Sequence, residues 1–357
     1  FLLEQWYRIL KEIDSVSFHF FVHPKVYKAL SIIPKDYISV CEVMDSVYLK
    51  EFDWVVINTF HRHFEKYQII FQEKPVLCLV HNLNFSVNGK LPKWKYFFQN
   101  KNALLYFLKL YLKEKIVPKR NLIYKAKRLG VLSNELAHNI KISETIWNGE
   151  IDVIPLNFVT FHTKIETEDT IQIVIPGNIS RKRKDIDLVF SVLKRIKPNS
   201  KLRFVFLGKP ENLKIKQELV GLQFLLHQNI TIDFFESFIE SQVFAAEMQK
   251  AHLLFCPIKE KTSFYGVEEL YGKTKVSGNE GDCIMYGKIG LFPSFYPNFD
   301  WYTLFYSNEE NLIQFFNHLD FERVKVEYKK VSVYRERYSF ETIKNNVEQL
   351  LFRIENA

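Results

Sequence analysis

Short apolar runs alternate with stretches of helical periodicity along most of the chain, and this alternation limits the fold more than any other feature. In the first half the runs are SVSFHFFV, YISVCEV, DWVVINTF, PVLCLVHN, RLGVLS and IDVIPLNFV. In the second half they are IQIVIPG, KLRFVFLG, ITIDFF, HLLFCPI and GKIGLFP. Apolar strands separated by helices imply parallel sheets buried on both faces. Two such sets in series predict an α/β protein made of two Rossmann-like, doubly wound domains. The 357 residues suit two domains better than one, and a 47% hydrophobic content is enough to fill two cores.

The expected division is an N-terminal domain over 1–165 and a second over 166–338, joined near the polar stretch FHTKIETEDT (161–170). A last helix, 339–357, is expected to pack back on the N-terminal domain. Ser339 can cap it, and Phe340, Ile343, Val347, Leu350 and Ile354 form its apolar stripe. Earlier helices are expected over 101–116, 185–197 and 240–252. The chain opens inside a helical pattern, FLLEQWYRILKEI, without methionine, so a further strand upstream is expected.

Cys41, Cys78, Cys256 and Cys283 are far apart, with no metal or redox spacing. Buried, reduced thiols in a cytosolic setting are the expected reading. No apolar run approaches the roughly 20 residues that span a bilayer, and no secretory leader pattern is present. The formal charge of +8 points to an anionic partner: a nucleotide, a phosphosugar, a membrane surface or a nucleic acid.

One bend concentrates that charge. In VIPGNISRKRKDIDLVF (174–190) a strand ends at Gly177, and Arg181, Lys182, Arg183 and Lys184 precede a helix with Ile186, Val189, Phe190, Leu193 and Ile196 on one face. Ligands of open parallel sheets bind beyond the carboxyl ends of the strands, where loops meet helix N-termini. Gly177 lets the chain turn closely, and Arg183 and Lys184 can reach back to a phosphate there. An isolated RKRK is more often a solvated basic face; its position after a strand and a glycine favours phosphate. Asp185 and Asp187 read as helix-capping acids rather than as a metal-binding pair.

The second half resembles the nucleotide-sugar-binding domain of GT-B glycosyltransferases, especially the retaining family 4. In that family a strand ends in Gly-Arg, and a lysine seven residues after the glycine binds the donor diphosphate. Gly177 and Lys184 match, whereas Asn178 occupies the arginine position. Arg181, Arg183 or Lys275 would then supply the second cation. LRFVFLGKPEN is similar to the family's second strand, ending at Gly208. SQVFAAEMQKAHLLFCPIKE resembles its helix and strand ending in Pro-Ser, here Pro257-Ile258. In EELYGKTKVSGNEGDCIMYGKIGLFP, Gly287-Lys288 places Asp282 at the second acidic position, and Tyr271-Gly272 makes Glu269 the first. Their spacing is thirteen where the family has eight. The resemblance implies that Asp282, at a helix start, holds a ribose diol beside Gly208 and Pro257, and that Glu269 faces the donor sugar. Lys273 and Lys275 lie in a glycine-bounded loop that can wrap a phosphate.

The first half carries a looser likeness. FDWVVINTFHRH and PVLCLVHN resemble the family's strands that end at histidine, which places His81 at the rim of an inter-domain cleft, facing donor sugar or acceptor; His61 and His63 rank behind it. GVLSNELAHNIK and IDVIPLNF, with Leu156-Asn157, fit later elements of the same domain.

Separately, residues 90–128 hold twelve Lys and Arg against one acid, Glu114, interleaved with eight Trp, Tyr and Phe residues. Basic and aromatic residues on a partly helical segment suit the headgroup region of an anionic membrane. A core helix with a cationic outer face is the plain alternative, and RNA a lesser one. Dehydrogenase, NTPase and zinc-hydrolase motifs are absent from the sequence.

The expectation is therefore a metal-independent GT-B glycosyltransferase with no cofactor beyond its nucleotide-diphosphate sugar. It would act on a glycan or lipid-linked acceptor in cell-surface polysaccharide synthesis, in the cytoplasm or at the inner face of the membrane. No nucleic acid is expected. A non-catalytic binding protein, or an epimerase or phosphorylase of the same fold, is the alternative.

Overall fold

The computed structural model describes residues 2–28, 30, 32–41, 46–62, 64–87, 105, 108–142, 149–161 and 169–355. The chain forms two compact units. One contains Phe1–Leu156, Ser263–Val276 and Phe340–Ala357; the other contains Asn157–Thr262 and Ser277–Ser339.

In the first unit, β1 (Phe20–Val22) and β2 (Ile38–Val40) form a parallel pair. β3 (Val55–Ile57), β4 (Val76–Leu79), β5 (Arg128–Val131) and β6 (Glu150–Val153) form a parallel sheet in that order. β4 and β5 are buried along their whole length, as expected of central strands covered on both faces. Arg128 is buried on β5, where Asp152 of β6 accepts from its Nε at 2.6 Å.

The second unit contains β7 (Thr170–Pro176), β8 (Lys201–Leu207), β9 (Ile230–Phe234) and β10 (Leu253–Phe255). After a two-stranded ribbon of β11 (Lys261–Phe264) and β12 (Val267–Leu270) come β13 (Gly290–Pro293) and β14 (Thr303–Tyr306). Its sheet is parallel in the order β9-β8-β7-β10-β13-β14. Relative to sequence that is 3-2-1-4-5-6, the order of dinucleotide-binding folds, with the reversal between β7 and β10.

All eleven strands read from apolar runs are present. The reading missed β14 and the β11–β12 ribbon, and the ribbon changes the domain division. Rather than one break at 165, the chain crosses between units at 156/157, and Ser263–Val276 belongs with the first unit. The reason is packing. Val267 is buried in the first unit's core, with Phe264, Tyr265 and Val276 packed against it. Tyr265 and Gly266 take positive φ (49° and 77°) in the two-residue turn joining β11 to β12.

The helix Phe340–Glu355 buries Ile343, Val347, Leu350 and Ile354, the predicted stripe without Phe340, and contacts the first helix, Leu2–Leu10. The helices over 185–197 and 240–252 are observed as Ile186–Arg195 and Ser241–Lys250, although Val243 of the second is exposed. Of the joining stretch 161–170, residues 162–168 lie outside the described residues, as do His63 and most of 88–107. Among the described residues no helix is long and apolar enough to cross a membrane.

Candidate functional site

The basic bend lies at the reversal point of the second unit's sheet. β7 ends at Pro176, and Gly177 turns the chain at φ +86°. Beside it, the segment after β10 pairs with the bend: Lys184 bridges Ile258, Asp185 N–H donates to Pro257 O (2.7 Å) and Lys259 N–H to Arg183 O (2.9 Å). Asp185 then caps the helix Ile186–Arg195, accepting from Leu188 N–H, so the acids of this stretch do serve the helix start.

Gly208 closes the other side. A Cβ at that position would lie 2.3 Å from Gly177 O and 2.8 Å from Asn178 N. The ends of β7 and β8 thus touch backbone to backbone, which only glycine permits. Its place here is a packing requirement of the 177–184 turn.

The four cations of the bend separate sharply. Lys184 is buried, and its Nζ donates to Pro176 O (2.6 Å) and Gly177 O (2.5 Å). Burial pushes its ammonium down to about 8, opposed by the charge of Asp282. Arg181 is held by Asp187 and Glu218, both at 2.7 Å, and Lys182 by Glu211 at 2.7 Å. Arg183 is exposed and makes no ion pair among the described residues.

The helix expected to begin at Asp282 starts a turn earlier, as Gly278–Met285 with Ser277 as its cap. Asp282 is its fifth residue, partly buried, accepting from Asn279 Nδ2 at 3.2 Å. Burial raises its carboxyl to about 6, with Lys184 pulling the other way. The first-turn acid is Glu280, which the sequence reading passed over. It is buried and raised to about 7, and it accepts from the hydroxyl of Tyr296, which in turn accepts from Ser277 N–H at 3.0 Å. The Ser-x-x-Glu spacing of a capping box, 277 to 280, was the available signal.

Glu269 and Lys275, expected at the donor, lie in the first unit. Glu269 is completely buried on β12, and its carboxylate accepts from Phe85 N–H (2.8 Å) and Asn84 N–H (3.3 Å). Lys119 donates to Phe85 O and stands 4.2 Å above the Phe85 ring. An acid on the amides and a cation on a carbonyl thus hold the short helix Leu83–Ser86 from both ends. No face of Glu269 is left for a sugar. Its position is dictated by the orphan N–H groups of that helix.

Lys275 Nζ donates to Asn82 Oδ1 at 2.6 Å. His81, partly buried just before it, uses Nε2 to donate to Asn58 O at 2.8 Å. Burial lowers His81 and takes His61 to about 4, so both rings are neutral at physiological pH. With Nε2 donating, His81 carries its lone pair on Nδ1, able to accept from a hydroxyl. Lys273 is exposed, and Gly272 folds the loop tightly, its N–H donating to Lys275 O.

No protein-family model matches the sequence, and no curated protein is similar to it. Solved structures are. The pneumococcal O-GlcNAc transferase GtfA, in complex with UDP and GlcNAc, is 13% identical at a TM-score of 0.50 over 86% of this chain and 59% of its own. Anabaena Alr3699/HepE in complex with UDP-glucose is 10% identical at 0.51, over 88% and 86%. A UDP-forming α,α-trehalose-phosphate synthase from Burkholderia vietnamiensis is 8% identical at 0.50, over 85% and 72%. The chain has the GT-B fold. It spans about three-fifths of the length of the pneumococcal transferase it matches. The second unit's strand order is the one found in dinucleotide-binding folds.

Proposed function

We propose that this protein is a glycosyltransferase that binds a nucleotide-diphosphate sugar at the 177–184 turn. The observation that carries the reading is the buried Lys184 ammonium, held at the end of β7 where the sheet order reverses. A diphosphate arriving there would replace the two strand-end carbonyls as the partner of Nζ, and exposed Arg183 would supply the second charge in place of Arg181. Asp282, one turn into its helix, would take the ribose hydroxyls. Charge neutralisation by lysine and arginine would stabilise the leaving diphosphate without a metal. His81, neutral with Nδ1 available, would be the first unit's hydrogen-bond acceptor for an acceptor hydroxyl, and Glu269 would serve only to hold the segment that carries it.

The test is a thermal-shift series with UDP-, GDP- and CMP-sugars, followed by a donor hydrolysis and transfer assay. Stabilisation by one nucleotide class, lost in Lys184→Met, is expected; an unchanged shift in that variant removes the assignment. Binding without any turnover across acceptors would favour a non-catalytic nucleotide-binding protein, a reading supported by Asn178 at the arginine position and by the engaged Arg181.

The acceptor side of the proposal is a lipid-linked or cell-surface glycan at the inner face of an anionic membrane. Its support is the described part of 90–128: Leu105, Leu108, Leu112 and Val117 are exposed beside exposed Lys109, Lys113 and Lys115. Apolar residues set among cations suit an in-plane interfacial contact. Flotation with phosphatidylserine vesicles should weaken when the three lysines become Glu, and indifference to that change would reject the membrane contact.

A further inference from the structure

The second unit contains a cavity of about 350 Å³ that the donor reading does not use. It opens beyond β10, β13 and β14, between the starts of the helices Ile186–Arg195 and Glu309–Asn317. Its size falls at the lower end of the roughly 300–1,000 Å³ typical of small-molecule sites. The floor is apolar, with Leu188, Ile258, Pro293 and Phe295, while hydroxyls of Ser294, Ser307 and Tyr306 line it as well.

Tyr306 distinguishes this cavity from a surface dimple. The residue is only 5% exposed and lines the cavity. Its ring is fixed edge-on to Phe255 at 5.9 Å. A phenol hydroxyl at a cavity wall can both donate and accept a hydrogen bond.

The charges around it select the chemistry. Asp185 caps its own helix, and Glu309 accepts from Ser191 Oγ (2.6 Å) and Arg195 (2.8 Å). Glu260 and Lys259 stand at the rim. Three carboxylates against one lysine disfavour a phosphate despite the two helix starts. An apolar floor that stacks on C–H groups, with hydroxyl and carboxylate partners around it, fits a neutral sugar ring.

We propose that this cavity is a carbohydrate-binding site separate from the phosphate turn, with Tyr306 as its internal hydrogen-bond partner. It does not depend on the donor reading, but the two share a wall. Ile258 lines the cavity and bridges Lys184 on the other side.

Saturation-transfer NMR with millimolar glucose, galactose, mannose and N-acetylglucosamine tests it on the whole chain. At least one sugar should show transfer that persists in excess UDP-glucose. Tyr306→Phe, which keeps the ring, should weaken it about three- to tenfold, and Leu188→Trp, which fills the floor, should abolish it. Absence of transfer from all four sugars overturns the proposal. So does displacement by UDP-glucose, or indifference to both variants.

Discussion

Lys184 Nζ donates to Gly177 O at 2.5 Å, so the lysine seven residues after the glycine returns to close the turn that the glycine opens. Replacing it with Met keeps the packed stem and removes the charge. Two strand-end carbonyls then lose a donor, while the cost of burying an ammonium disappears, and these effects largely offset. Lys184→Met should leave the melting temperature within a few degrees but weaken nucleotide-sugar binding roughly 10- to 100-fold, the value of a charge-assisted bond. Calorimetric titration measures this directly.

The same lysine gives binding and folding opposite pH dependence. Its ammonium is lowered from 10.5 to about 8 in the folded chain. Between those values the unfolded chain holds more protons, so this lysine makes stability rise with pH. A bound diphosphate favours the charged amine, so binding takes up a proton above about pH 8. Affinity should be flat below pH 7 and fall by up to about tenfold per unit above 8. In Lys184→Met both slopes should vanish, and affinity that keeps its slope would implicate another group.

What the sequence made legible follows from range. Apolar runs located eleven strands because a strand buried on both faces must be apolar along its length, as β4 is. The Gly177-to-Lys184 relationship was legible because both residues lie in one loop. Glu269 was not, because its partners, Asn84 and Phe85, are about 185 residues away and recognise it only through folding. Nor was the allocation of the bend's cations. Arg181 is taken by Glu218 from a different helix, which a run of basic residues cannot reveal. Gly208 read as a ligand-contact glycine, whereas what it accommodates is the backbone of Gly177.

That close approach makes Gly208→Ala a sharp test. A methyl 2.3 Å from a backbone oxygen cannot be relieved by a rotamer change, so the turn must shift. The variant should lose of order 2 kcal/mol of stability, and nucleotide-sugar binding should fall with it. Gly221→Ala is the control. It lies in the helix Leu213–Gln223 with nothing near its Cβ, and should stabilise by about 0.5–1 kcal/mol. Melting curves of the two variants should move in opposite directions.

Glu269→Gln separates a supporting role from a catalytic one. The amide oxygen can accept one of the two N–H groups, while the amide nitrogen meets the other as a second donor. Stability should fall by about 1–3 kcal/mol. The proposed nucleotide site lies in the other unit, so nucleotide binding should change by no more than about twofold. Full stability combined with abolished turnover would instead restore Glu269 to the chemistry.

Glu280 gives a pH signature with a definite sign. Burial raises its carboxyl from 4.5 to about 7. Below 4.5 both folded and unfolded chains are protonated there, and its contribution is fully present. Between 4.5 and 7 the unfolded chain releases the proton and the folded chain keeps it, so stability falls as pH rises. Above 7 the loss levels off at about 3 kcal/mol. Glu280→Gln keeps an acceptor for the Tyr296 hydroxyl and carries no charge, so it should gain that amount over the native chain at pH 8 and nothing at pH 4. Urea midpoints across pH 4–8 report the difference. A constant offset between the two proteins would mean that Glu280 is ionised in the fold, and that its contact with Tyr296 is a charged one.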